Sequence, residues 1–382
     1  MLDRATVDRL RGIDTGGAPV LSVYLDVPAD PGDFRGVAAR LKALLRPVRD
    51  LAEGDVLDDA AARSLRNDLD RVMDMADHPV AHRGASMARF LCDAAGLDER
   101  LHLPGPVRDR AVADRTPYLG PLEAMLGHYR PYCAVVIDRR TASIYRFSMG
   151  ELEAWEVIGE EEVRKDNFGG FSGYAERSVR GHAEEVARRL FRATAERLAV
   201  LARDGELELL MVGGQQGNVD GLIEELPPDA HRRLAGTFAV DPGTATPPDI
   251  RDRCAEVARA HEDSAAAGEV EALFDAAGAG DRAVVGLDPV VRAANVRAIG
   301  RLVIDADDLV PGVACVECGW LGRSGGLCGF CGEATLPVPD LIDRVAGQVQ
   351  ADGGEVRYVL GRSHLAEHRV GALLRFPVAA TT

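Results

Sequence analysis

The feature that most constrains this chain is ACVECGWLGRSGGLCGFCGEAT, residues 314–335, in which four of the seven cysteines stand as two C-x-x-C pairs, each followed by glycine. Two thiolates spaced in this way grip one ion from a tight turn, and Gly319 and Gly332 free the backbone there. Two such turns complete a tetrahedral four-cysteine zinc site, so Cys315, Cys318, Cys328 and Cys331 are the expected ligands of a structural Zn2+. All four positions would be filled by protein, which leaves none for a catalytic water. A dithiol redox motif and cysteines without a role are the competing readings, and two paired motifs without a thioredoxin-like context argue against the first. Cys92, Cys133 and Cys254 are scattered. Cys133, inside the apolar run YCAVVID, reads as a buried core thiol.

The module is an excursion from an α/β chain of 382 residues and 46% apolar content, enough for two or three domains with their own cores. Residues 1–128 read as a first α/β domain. Strands are expected in VLSVYLDV (20–27), ARFLCDA (88–94) and LHLPGPV (101–107), helices over 37–52 and 116–126, and a turn-rich loop over 28–36. Residues 129–247 read as a second. Strand patterns at 132–140, 141–148 and 152–159 lead to a polar glycine-rich segment at 164–181 and an amphipathic helix over 182–203. A buried strand at 206–214, a helical stretch and a strand at 236–241 complete it. TATPPD (244–249) has linker composition. Residues 248–382 read as a third α/β domain, helical over 250–280. Its strands at 282–288, 301–307 and 355–361 have the cysteine module inserted between the second and third.

Charge and hydropathy restrict the function. The formal net charge of −16 argues against a DNA-binding protein, whose affinity comes from neutralising phosphates. Local basic patches remain compatible with RNA contact. Lys42 and Lys165 are the only lysines, and the many arginines suit bidentate phosphate contact. The N-terminus lacks the apolar core of a signal peptide, and no apolar run is long enough to span a membrane. A cytoplasmic protein is expected.

Two glycine pairs compete as a functional loop. Gly213-Gly214-Gln215 spells the tripeptide with which class-1 release factors cut peptidyl-tRNA. It directly follows the apolar strand LELLMV, where glycines usually turn a chain into the next helix. The segment DNFGGFSGYAERSVRG (166–181) is polar, precedes the long helix and is flanked by Arg164, Lys165, Arg177 and Arg180. It carries Gly169-Gly170 followed by Phe171. An ordinary surface loop is the plain alternative. Arg188, Arg189 and Arg192 could touch an RNA backbone, or form a solvated face with Glu184, Glu185 and Glu196.

VLSVYLDVPADPGDFRGVAARLKALL, YCAVVIDRRTASIYRF, the glycine loop with its long helix, LELLMVGG, GTFAVD and AVVGLDPVVRAANVRAIGRLVIDADDL followed by a cysteine module together resemble a known superfamily. It is that of the archaeal and eukaryotic class-1 release factors and Pelota, and more closely its bacterial branch, which includes the ribosome hibernation factor Balon. The resemblance implies a three-domain release-factor-like architecture with a zinc ribbon in the C-terminal α/β domain. It implies a ribosome-binding translation factor that meets rRNA in the A site, in hibernation or rescue, with elongation factor Tu or another translational GTPase as partner. It places the catalytic tripeptide position at Gly169-Gly170-Phe171, where phenylalanine brings no amide to the scissile ester. The expected ribosome-contacting residues are Arg164, Lys165, Asn167, Gly169, Gly170, Phe171, Arg177 and Arg180, with no catalytic residue. Domain one lacks the Asn-Ile-Lys-Ser motif that reads stop codons. A peptidyl-tRNA hydrolase and a non-ribosomal zinc-ribbon scaffold stand as alternatives.

Overall fold

The computed structural model describes residues 2–27, 36–76, 86–159, 175–280, 282–359 and 363–378; for residues 128 and 175–183 it describes the backbone alone. The chain divides into two compact units, one of Met1–Gly127 with Ala266–Thr382, the other of His128–Ala265.

Along the first stretch run α1 (Arg4–Arg11), β1 (Val20–Leu25), α2 (Val37–Leu44), α3 (Arg46–Glu53), α4 (Asp59–Val72), β2 (Ser86–Cys92), β3 (Leu97–Leu103), β4 (Arg110–Asp114) and α5 (Gly120–His128). The single helix expected over 37–52 is two, because Pro47 stands in the first turn of α3, where its missing N–H is tolerated, and not in a helix interior. The strand expected at 101–107 is instead β3, which ends at Leu103 before Pro104. β4 and α4 are additional to the expected elements; α4 buries Ala62, Leu65, Leu69 and Val72 at helical spacing and is capped by Asp58. The four strands pair antiparallel in the order β3-β2-β1-β4. Leu41, Leu45, Leu65 and Leu69 of the helices cover Leu21, Val23, Leu25 and Leu91.

The second unit is built on β5 (Tyr132–Ile137), β6 (Thr141–Ser148), β7 (Glu151–Gly159), α6 (Ala175–Arg203), β8 (Leu209–Gly214), α7 (Gln216–Glu225), α8 (Pro228–His231) and β9 (Leu234–Ala239). The sheet order is β7-β6-β5-β8-β9, with β5, β8 and β9 parallel and β6 and β7 antiparallel. Strand residues alternate between faces, and here both faces are covered, which is why β5 and β8 read as unbroken apolar runs. Ala187, Phe191, Ala195, Leu198 and Leu201 of α6 recur every three to four residues and pack on Val135, Ile137, Leu210 and Val212. On the other face Tyr132, Met211 and Phe238 lie under Ile250 and Cys254 of α9 (Pro247–Gly278). The second half of the segment expected as a linker, 244–249, is the beginning of that helix, and the boundary between the units falls inside the helix.

The chain then adds β10 (Ala283–Val285), α10 (Leu287–Asn295), β11 (Ile299–Ile304), β12 (Gly312–Cys315), β13 (Leu321–Gly322), β14 (Thr335–Val338), α11 (Leu341–Ala351), β15 (Glu355–Tyr358) and β16 (Val370–Leu374). One sheet has the order β10-β16-β11-β15; a small antiparallel one, β13-β12-β14, carries the cysteines. β16, which lies between β10 and β11, was not anticipated. Within the first unit the N-terminal sheet and this C-terminal segment are joined by buried polar contacts. Arg344 clasps Asp114 at 2.5 and 3.0 Å, the Gly120 N–H donates to Asp343 at 3.0 Å, and Glu123 accepts from Gln350 at 3.3 Å. No described helix is long and apolar enough to cross a membrane.

Candidate metal centre and strand-end glycine turn

The four expected ligands converge. The sulfurs of Cys315, Cys318, Cys328 and Cys331 all lie within 4.8 Å of one another, with Cys315–Cys331 and Cys318–Cys328 at 3.5 Å. Four thiolates about 2.3 Å from a tetrahedral ion stand roughly 3.8 Å apart, so the cluster has the size a zinc ion requires. All four are free thiols, far beyond disulfide bonding distance. Among the described residues this is the one group of three or more His, Cys, Asp or Glu side chains able to hold a metal.

The two halves of the site are built alike. The N–H of Gly319 donates to the Cys315 carbonyl at 3.0 Å, and that of Gly332 to the Cys328 carbonyl at 3.1 Å. Both glycines have left-handed backbones, φ 74° and 80°, which a side chain would strain. The N–H of Cys315 donates to the Trp320 carbonyl at 2.8 Å and that of Cys328 to the Glu333 carbonyl at 2.6 Å, closing each turn. Desolvation opposes the thiolate at Cys328. N–H groups of Cys331 and Phe330 directed at its sulfur, with the neighbouring thiols, outweigh it and bring the group down to about 6. The thiolate is thus favoured at Cys328, whereas Cys318 and Cys331 are pushed up, the backbone N–H groups that face them being outweighed by their bonds to the neighbouring sulfurs. Asn295 of α10 clamps the hairpin from below, accepting from the Leu321 N–H and donating to its carbonyl, both at 2.8 Å.

Trp320, which spacing arguments did not single out, braces the module. A Cβ on Gly322 would stand 2.3 Å from its indole and one on Gly329 3.5 Å from it. The ring therefore occupies space that glycine leaves open. The remaining cysteines do not join the cluster. Cys133 and Cys254 are buried in the second unit, where burial pushes their thiols up to about 11 and about 12.

Gly213-Gly214-Gln215 ends β8 and begins α7. A Cβ on Gly213 would meet the Phe238 ring at 2.4 Å. Gly214 has φ 147°, and a Cβ there would stand 2.4 Å from the Ile137 carbonyl oxygen of the adjacent strand. Both glycines are buried and allow strands to close-pack; Gln215 is exposed as the residue before the helix. The other glycine pair, Gly169-Gly170, with Arg164, Lys165, Asn167 and Phe171, lies outside the described residues, and Arg177 and Arg180 stand on the part of α6 whose side chains are undescribed. Of the helix arginines, Arg189 pairs with Glu185 at 3.3 Å and Arg192 with Glu225 at 3.6 Å, the solvated, ion-paired face that was one of the two expectations.

The segment bearing this sheet and turn is similar to a known family of release-factor type. More particularly, residues 117–277 match the family model described as Bacterial archaeo-eukaryotic release factor family 10, a match that spans less than half of the chain. No curated protein matches. Among solved structures, the archaeal translation termination factor aRF1 is similar at 18% identity over 97% of this chain and 96% of that one, with a TM-score of 0.26. Pelota of Archaeoglobus fulgidus shares 14% identity over 77% and 80%, with a TM-score of 0.36. Dom34 of S. cerevisiae, described as a translation termination-like factor interacting with Hbs1, shares 13% over 78% and 81%, with a TM-score of 0.43. At these scores the whole-chain likeness carries no argument, and the likeness to known proteins rests on the family match over residues 117–277.

Proposed function

We propose that this protein is a ribosome-binding translation factor of the release-factor and Pelota type that occupies the A site without hydrolysing peptidyl-tRNA, in hibernation or rescue. The observation that carries the non-hydrolytic reading is the packing at Gly213 and Gly214. Their absent side chains are accounted for by Phe238 and Ile137, so the literal Gly-Gly-Gln has a structural reason to exist. At the other glycine pair the sequence offers Phe171 in place of glutamine. Backbone N–H groups can stabilise an oxyanion, but phenylalanine supplies no amide to the scissile ester.

In this reading the chain works in the cytoplasm as three domains, 1–128, 129–247 and 248–382. The first faces the decoding centre. The 164–181 loop reaches toward the peptidyl transferase centre through Arg164, Lys165, Asn167, Gly169, Gly170, Phe171, Arg177 and Arg180. The third, stapled by Zn2+ on its four cysteines, faces the stalk base or a GTPase such as elongation factor Tu.

The test is sedimentation with 70S ribosomes, with and without an elongation factor, together with release of labelled peptide from a ribosomal complex. Binding without release, lost on deleting residues 167–173, is expected. Peptide release abolished by Gln215→Ala would replace this reading with a hydrolase. Failure to sediment under any condition would leave the non-ribosomal scaffold.

A further inference from the structure

Among the described residues, the two most exposed large apolar side chains lie on the metal module. Phe330 is 83% and Leu327 77% exposed, three residues apart on either side of the ligand Cys328. Val316, beside the opposite ligand Cys315, is also exposed. Isolated surface leucines are ordinary, but an aromatic and a leucine held at the tip of a braced turn are not.

The tip is rigid for reasons already given. Cys328 and Cys331 bracket Phe330, whose N–H points at the Cys328 sulfur at 3.4 Å. The Trp320 ring underlies Gly329. Gly326 and Thr335 bond reciprocally at the base, with the Thr335 N–H to the Gly326 carbonyl at 3.0 Å and the Gly326 N–H to the Thr335 hydroxyl at 3.2 Å. Side chains presented on a fixed backbone lose little entropy when they dock, which is what an interface anchor requires.

Charge selects the kind of partner. Residues 316–334 contain Glu317 and Glu333, both exposed, against Arg323 alone, and Arg323 lies 3.9 Å from Asp288. Four thiolates around a divalent cation add net negative charge. Such a surface repels nucleic-acid phosphates, so base stacking on Phe330 is disfavoured. It complements a protein surface that offers an apolar pocket rimmed by lysine or arginine.

We infer that Phe330 and Leu327 form an anchor by which the metal module docks into an apolar, basic-rimmed pocket of a protein on the ribosome. The inference rests on the ribosome-binding reading above. It is tested by measuring binding of purified ribosomes to the full chain and to the Leu327→Ser/Phe330→Ser double variant, with the metal content of both determined. In parallel, a photoreactive phenylalanine analogue at position 330 is crosslinked within the complex. The expected result is native binding, at least about tenfold weaker binding by the double variant at unchanged metal content, and an adduct to a protein. Equal binding by both proteins overturns the anchor while leaving the ribosome reading intact. An adduct to rRNA overturns the protein partner in favour of base stacking. Absence of native binding overturns the reading and the anchor together. Should the double variant lose its metal, the crosslink decides, because it keeps an aromatic ring at the tip.

Discussion

At the scale of single residues, the strand-end glycines separate packing from chemistry. Gly213→Ala forces a Cβ into the Phe238 ring, and Gly214→Ala forces one against the Ile137 carbonyl at a backbone angle alanine rarely adopts. Each is expected to destabilise by about 1–3 kcal/mol in denaturant unfolding, whereas Gln215→Ala, exposed and uncapped, stays within about 0.5 kcal/mol. A Gly214→Ala protein as stable as the native one would remove the structural explanation of the tripeptide. Asp68 makes a separate prediction. It is fully buried, its Oδ1 has no partner, and Oδ2 accepts the Asp93 N–H at 3.2 Å. Burial raises its carboxyl from 3.8 to about 6. The folded state therefore holds a proton that the unfolded chain releases, and this group's stabilisation is full below pH 3.8 and is lost as pH rises toward and through 6. Asp68→Asn should flatten that loss and be more stable than native at pH 7, by up to about 3 kcal/mol. Equal pH profiles of Tm for the two proteins would show that Asp68 ionises freely.

At the scale of elements, the cysteine module depends on its ion more than on its core. β12, β13 and β14 are two to four residues long, and the residues between the knuckles are mostly exposed. One zinc per chain is expected. Its removal by a chelator, or by Cys328→Ser, should abolish amide-exchange protection over 312–338 while β11 and β16 stay protected, since most of their apolar cluster comes from α10, α11 and the sheet itself and only Leu321 and Val338 of its buried residues from the module. Protection that survives full metal loss would show a module that folds without an ion. The motif was legible in the sequence because ligand spacing is local; the brace was not, because Trp320 meets Gly322 and Gly329 only once the hairpin has folded back.

At the scale of the whole molecule, the first unit joins segments at opposite ends of the sequence. Arg344 and Asp114 are both largely buried, at 20% and 13% side-chain exposure, and form a two-bond ion pair. Arg344→Ala would leave a buried carboxylate without its partner, and a loss of about 3 kcal/mol is expected in chemical denaturation. A change below about 1 kcal/mol would mean that water replaces the arginine and that the junction is held by its other contacts.

The sequence by itself determined what depends on near neighbours: the ligand spacing of the cysteines, the two-faced burial of β5 and β8, the apolar stripe of α6 and the kinship of the central segment. Tertiary structure decided what depends on residues far apart. It put β16 between β10 and β11, extended α9 into the expected linker and joined residues 1–127 to 266–382. It also gave the strand-end glycines their reason, through Phe238 and Ile137 on neighbouring strands. Periodicity records which face of an element is apolar, while the partner that covers that face is chosen by loop closure and packing across the whole chain.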